Sequence, residues 1–412
     1  MAINREPLRV LYSFPHKLGA NRICYTAWQQ VKGLADAGAR VIVHPGVVHR
    51  GLPDGIRVRE TLARGPMRLP YRVLGRLRTL ALHDYIVSRR LERMATQVDI
   101  VHTWPLAALR TLRTASRLGI PTVLERPNSH TRYAYESVHR ESQRLNIVLP
   151  PDNEYFYRPD ILEHEEEEYR TADYLLCPSE FVAATFRQEG FEDHKLLRHQ
   201  YGFDGATYYP GNQDRKSPAE GLTMLFAGDC AVRKGLHFAL EAWLKSPAHL
   251  TGTFRIAGRF LRAYADRLSR LLAHPSVQVL GFRNDVPELM RQSDIFVLPS
   301  IEEGSALVTA EARASGCVLL VSSAAGAVCT HMQHGLVHKA GDVETLSRHI
   351  TLVHEDRALL GRLRTESLRT VSDLTWTSAG RRLLNLYQEV FDRRSPASGP
   401  EIALTPALGH KA

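Results

Sequence analysis

The chain has 412 residues, a net charge of +9, 44% hydrophobic residues and 24% charged ones. That length exceeds one ordinary core and predicts two large domains, while the apolar share excludes wholesale disorder. No stretch reaches the roughly 20 apolar residues that span a bilayer, and the opening MAINREPLRVLYSFP lacks the apolar core of a secretory signal, so a cytoplasmic protein is expected.

In chain order, Val10-Leu11-Tyr12 reads as a strand, followed by a loop with Gly19 and a helix with Ile23, Ala27, Val31 and Leu34 on one face. Gly38 ends that helix, and Val41-Ile42-Val43 completes a strand, loop, helix, strand unit of a parallel α/β sheet. Further strands are expected at Asp99-Ile100-Val101-His102, Pro121-Thr122-Val123-Leu124 and Tyr174-Leu175-Leu176-Cys177. A helix with Leu106, Leu109 and Leu112 is expected between the first two, and another starts at Pro178-Ser179-Glu180. The acidic run from Glu163 to Glu168 reads as a solvated helix face.

A turn-rich segment around Pro210-Gly211-Asn212 has the composition of a linker, after which the cycle restarts. Thr223-Met224-Leu225-Phe226, Phe254-Arg255-Ile256-Ala257, Val277-Gln278-Val279-Leu280, Ile295-Phe296-Val297-Leu298 and Cys317-Val318-Leu319-Leu320-Val321 read as strands. A helix with Leu236, Leu240, Trp243 and Leu244 follows the first of them. The expected organisation is an α/β chain of two Rossmann-like doubly wound domains facing a cleft. The first runs over 1–205, a linker over 206–217 and the second over 218–375. A closing helix follows over 376–392, marked by Leu383, Leu384, Tyr387 and Val390, and a disordered tail over 393–412.

The positive charge calls for an anionic partner. Arg64, Arg68, Arg72, Arg76, Arg78, Arg89, Arg90 and Arg93 alternate with Leu69, Leu74, Leu77, Leu80 and Leu82, a composition suited either to a helix lying on an anionic membrane or to a solvent-facing basic helix. No nucleic-acid motif occurs, and the basic residues are not interleaved with stacking aromatics, so a nucleic-acid partner is not expected. Five scattered cysteines, with no CxxC pair or zinc spacing, read as free thiols.

Glu303 and Glu311 stand eight apart in PSIEEGSALVTAEARASG, between two apolar strands. The first falls on the loop leaving a strand and the second two turns into a helix, whose free N-terminal amides suit a phosphate and whose second acid suits a ribose diol. In FAGDCAVRKGL, Arg233 and Lys234 stand together at a helix start, where they oppose the dipole unless an anion sits there.

These segments resemble the retaining glycosyltransferases of the GT-B fold, specifically family 4. The resemblance implies that Glu311 holds the donor ribose, and that Glu303 lies near the transferred sugar with the amides of Gly304, Ser305, Ala306 and Leu307. It implies that Lys234, assisted by Arg233, neutralises the leaving diphosphate beside Gly228. Asp229 stands where the family often carries arginine. Arg283, in LGFRNDVPEL, is similar to the loop facing the donor base, Gly19 holds the place of the glycine-rich acceptor-side loop, and His130 fits a histidine aimed at the donor sugar.

The resemblance further implies a UDP- or GDP-sugar donor, a glycan or lipid-linked acceptor, and a role in cell-envelope or exopolysaccharide assembly on the inner face of the membrane. No DxD triad, GxxxxGK[ST] loop, GxGxxG fingerprint or GxSxG elbow occurs, so no metal or further cofactor is expected. The alternative enzyme is another GT-B catalyst such as a phosphorylase or sugar-nucleotide epimerase, and the Asp229 departure motivates a further alternative, a catalytically inactive relative that binds nucleotide or glycan as a regulator.

Overall fold

A computed structural model describes residues 6–64, 67–68, 75–211 and 221–394. Part of the basic stretch (Leu69, Arg72 and Leu74), half of the expected linker and nearly all of the tail lie outside the described residues.

The first sheet contains β1 (Arg9–Leu18), β2 (Arg40–Val48), β3 (Arg57–Val58), β6 (Ile100–Thr103), β7 (Thr122–Glu125), β8 (Tyr174–Cys177) and β9 (Leu196–Arg198). The small hairpin of β4 (Ala63–Arg64) and β5 (Met67–Arg68) lies apart. Its order is β3-β2-β1-β6-β7-β8-β9, with every pair parallel. The second sheet contains β10 (Thr223–Ala227), β11 (Thr253–Ala257), β12 (Val277–Gly281), β13 (Ile295–Leu298), β14 (Val318–Ser322) and β15 (Gly335–His338). Its order is β12-β11-β10-β13-β14-β15, again all parallel. Parallel strands are covered by helices on both faces, which is why β10, β13 and β14 are buried along their whole length and read as unbroken apolar runs.

In each sheet the order reverses between two neighbouring strands, β1 and β6 in the first and β10 and β13 in the second. Loops leaving the carboxyl ends of such a pair diverge and leave a crevice between them. In the second domain those two loops carry Arg233-Lys234 and Glu303.

The chain crosses between the domains twice. Tyr201 and Phe203 lie on the outward crossing, and the helix Trp376–Arg394 returns to the first domain, where Leu383, Leu384, Tyr387 and Val390 join the core of Val10, Tyr12, Val31 and Ile100. That helix packs so closely on the helix Ile23–Asp36 that a Cβ on Gly33 would lie 2.9 Å from the Gly380 Cα. A buried polar chain ties both crossings to the first sheet. Tyr201 Oη donates to Glu125 (2.7 Å), Gln30 Nε2 donates to the other Glu125 oxygen (2.8 Å), and Tyr387 Oη meets His102 Nδ1. Burial pushes the Glu125 carboxyl up to about 7.

The acidic run is only in part a solvated face: Glu163 and Glu167 are exposed. In the helix Pro159–Thr171, Glu165, Glu166 and Glu168 are buried. Each has partners that make burial tolerable: Glu165 pairs with Arg126 (3.1 Å), Glu166 with Arg132 and Arg170, and Glu168 accepts the Leu106 and Ala108 amides at 2.8 and 2.9 Å. Those partners lie 34 to 62 residues upstream, apart from Arg170.

Gly33→Val must force the two helices apart, and overpacking of this kind costs about 1–3 kcal/mol. Thermal denaturation of the variant is expected to show a melting temperature several degrees below wild type; an unchanged value would contradict the close contact.

Candidate functional site

At the carboxyl end of β10, Gly228 takes φ +149 and leads through Asp229 to the 3-10 turn Val232–Lys234. Gly235 follows in the left-handed region (φ +66), where a Cβ would overlap the Pro299 carbonyl. This glycine therefore lets the Arg233-Lys234 turn sit against the loop leaving β13. Glu303 on that loop accepts from Arg233 Nη1 at 2.8 Å and from Lys234 Nζ. Burial raises a carboxyl, but the Arg233 and Lys234 charges outweigh it and hold Glu303 below its ordinary range, so it is ionised. Burial in turn pulls Lys234 down, opposed by the Glu303 charge.

Glu311 lies in the second turn of the helix Leu307–Ala314, which has no side-chain N-cap, so its first amides lack that partner. Burial pushes Glu311 up to about 7, opposed by a hydrogen bond from the Tyr208 hydroxyl. Gly304 lies against the first domain: a Cβ there would overlap the Pro127 carbonyl, and Ser179 Oγ donates to the Gly304 carbonyl at 2.6 Å. Ala306 and Leu307 are packed, the first in the core of the second domain and the second against the cluster of Tyr201, Trp376 and Ala379.

Gly19 takes φ +85, with its amide on the Cys24 carbonyl (2.9 Å), in the loop leaving β1. The same loop presents Arg22, whose own backbone is in the left-handed region (φ 60) and whose guanidinium pairs with Asp229 at 2.9 Å across the interdomain cleft. The aspartate that departs from the family pattern thus faces an arginine from the other domain. Both side chains are largely exposed, so the pair adds little to stability.

Two of the expected site residues have their contacts outside this cluster. His130 is one. It caps the helix Thr131–Arg144 by accepting from the Arg132 amide (3.3 Å), boxed by Tyr169, Phe186 and Phe191, and burial pulls its imidazole down to about 3. Arg283 is exposed and pairs with Asp285 at 2.5 Å, outside the cavity beside Lys234.

Two cavities meet here. One of about 260 Å³ is lined by Asp229, Arg233, Lys234 and Arg259 of the second domain and by Val138 and Tyr155 of the first. The other, of about 460 Å³, lies in the first domain among residues that include His16, Arg76, Trp104, Tyr135, Phe156 and Arg158. Asn153, Glu154 and Tyr155 line both. Sequence reasoning missed Glu302, Ser129, Tyr155 and Tyr208; the adjacent acids Glu302-Glu303 and the aromatic, acidic run Asp152-Asn153-Glu154-Tyr155-Phe156-Tyr157 were the available signals. Among the described residues no group of His, Cys, Asp and Glu has the geometry of a metal site.

Residues 221–356 match the family model described as Glycosyl transferases group 1. A stretch of 117 residues is 34% identical to N,N'-diacetylbacillosaminyl-diphospho-undecaprenol alpha-1,3-N-acetylgalactosaminyltransferase of Campylobacter jejuni, covering 28% of this chain and 31% of that protein. Another of 83 residues is 34% identical to UDP-Gal:alpha-D-GlcNAc-diphosphoundecaprenol alpha-1,3-galactosyltransferase of Escherichia coli, covering 20% of this chain and 21% of that protein. The chain therefore matches about a third or less of the length of these two relatives. Anabaena Alr3699/HepE in complex with UDP superposes with a TM-score of 0.64 at 17% identity, over 93% of this chain and 100% of that one. The fold is that of the GT-B glycosyltransferases.

Folded Glu311 keeps its proton up to about 7, whereas the unfolded chain releases it near the ordinary value of 4.5. Wild type is therefore expected to lose stability relative to Glu311→Gln as pH rises through that window. Urea denaturation of both proteins across the window checks this; parallel curves would refute the buried, protonated state.

Proposed function

We propose that the protein is a retaining, family 4 glycosyltransferase. It moves a sugar from a UDP- or GDP-linked donor to a glycan or lipid-linked acceptor in cell-envelope or exopolysaccharide assembly. The observation that carries this reading is the convergence of Arg233 and Lys234 on Glu303 at the reversal point of the second sheet, inside the segment that matches the family model. The UDP in the HepE structure and the undecaprenol-linked acceptors in the names of two relatives support the donor and acceptor classes.

In this mechanism the donor diphosphate takes up the Arg233 and Lys234 hydrogen bonds, with the amides around Gly228 and from Gly304 to Leu307 completing its cradle. Negative charge grows on the diphosphate as the anomeric bond breaks, so cations fixed there favour the transition state over the bound donor. Glu311 takes the ribose hydroxyls, and Glu303, released from the cations, faces the transferred sugar. The acceptor hydroxyl attacks from the face the diphosphate leaves, and its proton passes to the departing phosphate. This chain's own cations carry the charge, without a metal in the reading.

The acceptor belongs in the first-domain cavity, where Trp104, Tyr135 and Phe156 offer surfaces for sugar rings and Arg76 and Arg158 offer cations. The same side of the first domain carries the helix Arg76–Met94, with Leu77 and Tyr85 exposed and Arg78, Arg89 and Arg93 on it. That surface suits an anionic membrane delivering a lipid-linked acceptor.

Without metal, one of UDP or GDP is expected to raise the melting temperature of wild type, and Lys234→Ala and Glu311→Ala are expected to lose the shift. No shift with either nucleotide would overturn the donor site, and binding without turnover on any acceptor would favour the regulatory alternative. Vesicles containing phosphatidylglycerol are expected to sediment wild type at low salt and to retain much less of an Arg89→Ala, Arg93→Ala double variant. Equal sedimentation would remove this surface from the proposal.

A further inference from the structure

Glu302 is fully buried, yet it belongs to neither set of residues assigned above. Its Oε1 accepts from the Ser129 amide (3.2 Å) and the Ser129 hydroxyl (2.9 Å), and its Oε2 accepts from the Tyr155 hydroxyl (2.9 Å). All three donors come from the first domain. From its own domain Arg233 stands beside it, with Nη1 3.8 Å from Oε2 and donating to the Glu302 carbonyl at 3.2 Å. Glu302 and Glu303 thus divide the work of one loop: Glu303 turns to the cations of the second domain, and Glu302 reaches into the first.

The groups that Glu302 holds are walls of the two cavities. Ser129 lines the first-domain cavity, and Tyr155 lines both and lies under Arg233, with the guanidinium carbon 5.4 Å from its ring centre. More contacts brace the same junction. Ser179 holds the Gly304 carbonyl, Glu141 meets His237 Nε2 at 2.8 Å, and Ala134, Val138 and Tyr155 cluster with Phe238 and Ile301. Of these, Glu141 is a part-buried carboxylate that also pairs with Arg144 of its own domain (2.6 Å), and the others are neutral or apolar surfaces that would pack in many registers. A buried carboxylate is more demanding, because it is stable only where its donors point at it.

We infer that Glu302 is a positioning residue: an interdomain latch whose three bonds exist only with the cleft closed, and which fixes Ser129 and Tyr155 of the acceptor side against the Arg233, Lys234 and Glu303 cluster. Opening the cleft breaks all three bonds together and returns the carboxylate to water, so the closed state is specified by Glu302 and still reversible. The inference rests on the proposed donor site only for the nucleotide used as a probe.

Glu302→Gln keeps the size of the side chain but puts an amide donor opposite Ser129 or Tyr155, which are themselves donors. Tyr155→Phe removes one bond and leaves the acid. Small-angle X-ray scattering of both variants, with no ligand, is expected to give a larger radius of gyration than wild type, with Glu302→Gln the more expanded. UDP or GDP, whichever binds wild type, is expected to bind Glu302→Gln about tenfold more weakly, the loss of roughly one charge-assisted hydrogen bond. A residue that only stabilised the fold would lower the melting temperature and leave the radius unchanged. If Glu302→Gln does not fold, Tyr155→Phe decides by the same two readouts. Wild-type radius and wild-type nucleotide affinity in the folded variants would overturn the latch. If neither nucleotide binds wild type, the donor reading fails while the scattering comparison still decides this one.

Discussion

Three charged side chains meet out of water where β10 and β13 part: Arg233, Lys234 and the Glu303 carboxylate between them. Glu302 lies beside Arg233 as well, its carboxyl 3.8 Å from the guanidinium. Burying such a group is costly unless every member keeps a partner, and the arrangement survives because the backbone brings those partners to within hydrogen-bond reach. Gly235 allows the cationic turn to press on the Pro299 carbonyl, and the reversed strand order opens the crevice beneath it. A diphosphate entering here would take over donors that Glu303 now occupies, which makes donor binding an exchange of one anion for another. Asp229 belongs to the same balance: it holds Arg22, so a further cation stands at the mouth already neutralised.

Much of the architecture was legible because strands buried on both faces leave unbroken apolar runs, as in Ile295–Leu298 and Val318–Ser322. The expected strands at these places and the closing helix could be read from local pattern, whereas the pairing of Glu303 with Arg233 and Lys234 could not. What escaped was set by distance along the chain. Glu302 finds its donors 147 and 173 residues away, and the buried glutamates of the helix Pro159–Thr171 find most of theirs far upstream. A run of acids looks solvated until the arginines and amides that neutralise it are known. His130 follows an apolar strand as the motif expects, but the partners it finds, an aromatic box and a helix amide, could not be read from the local sequence. Arg283 also has a local partner, Asp285 two residues on.

The two crossings between domains are wired into the first sheet rather than hanging free. Tyr201 and Tyr387, one from each crossing, reach Glu125 and His102 at the carboxyl ends of β7 and β6. Movement of either crossing therefore disturbs a buried carboxyl whose affinity for its proton is already raised. The next residues along, Arg126 to His130, form the loop that meets Gly304 and supplies Ser129 to Glu302. Hinge and cleft are thus joined through one short piece of chain.

The return of the helix Trp376–Arg394 has a consequence for how the protein can be taken apart. Its Leu383, Tyr387 and Val390 fill the interior of the domain that begins at the other end of the sequence, and Gly33 and Gly380 leave no room for a substitute surface. Cutting the chain near residue 215 would not release two autonomous halves, since the leading fragment would expose the seat of the missing helix and the trailing one would carry that helix unburied. The natural dissection is a split pair: two fragments that recognise each other through this helix, and a first domain that becomes independent only when the last segment is spliced onto it.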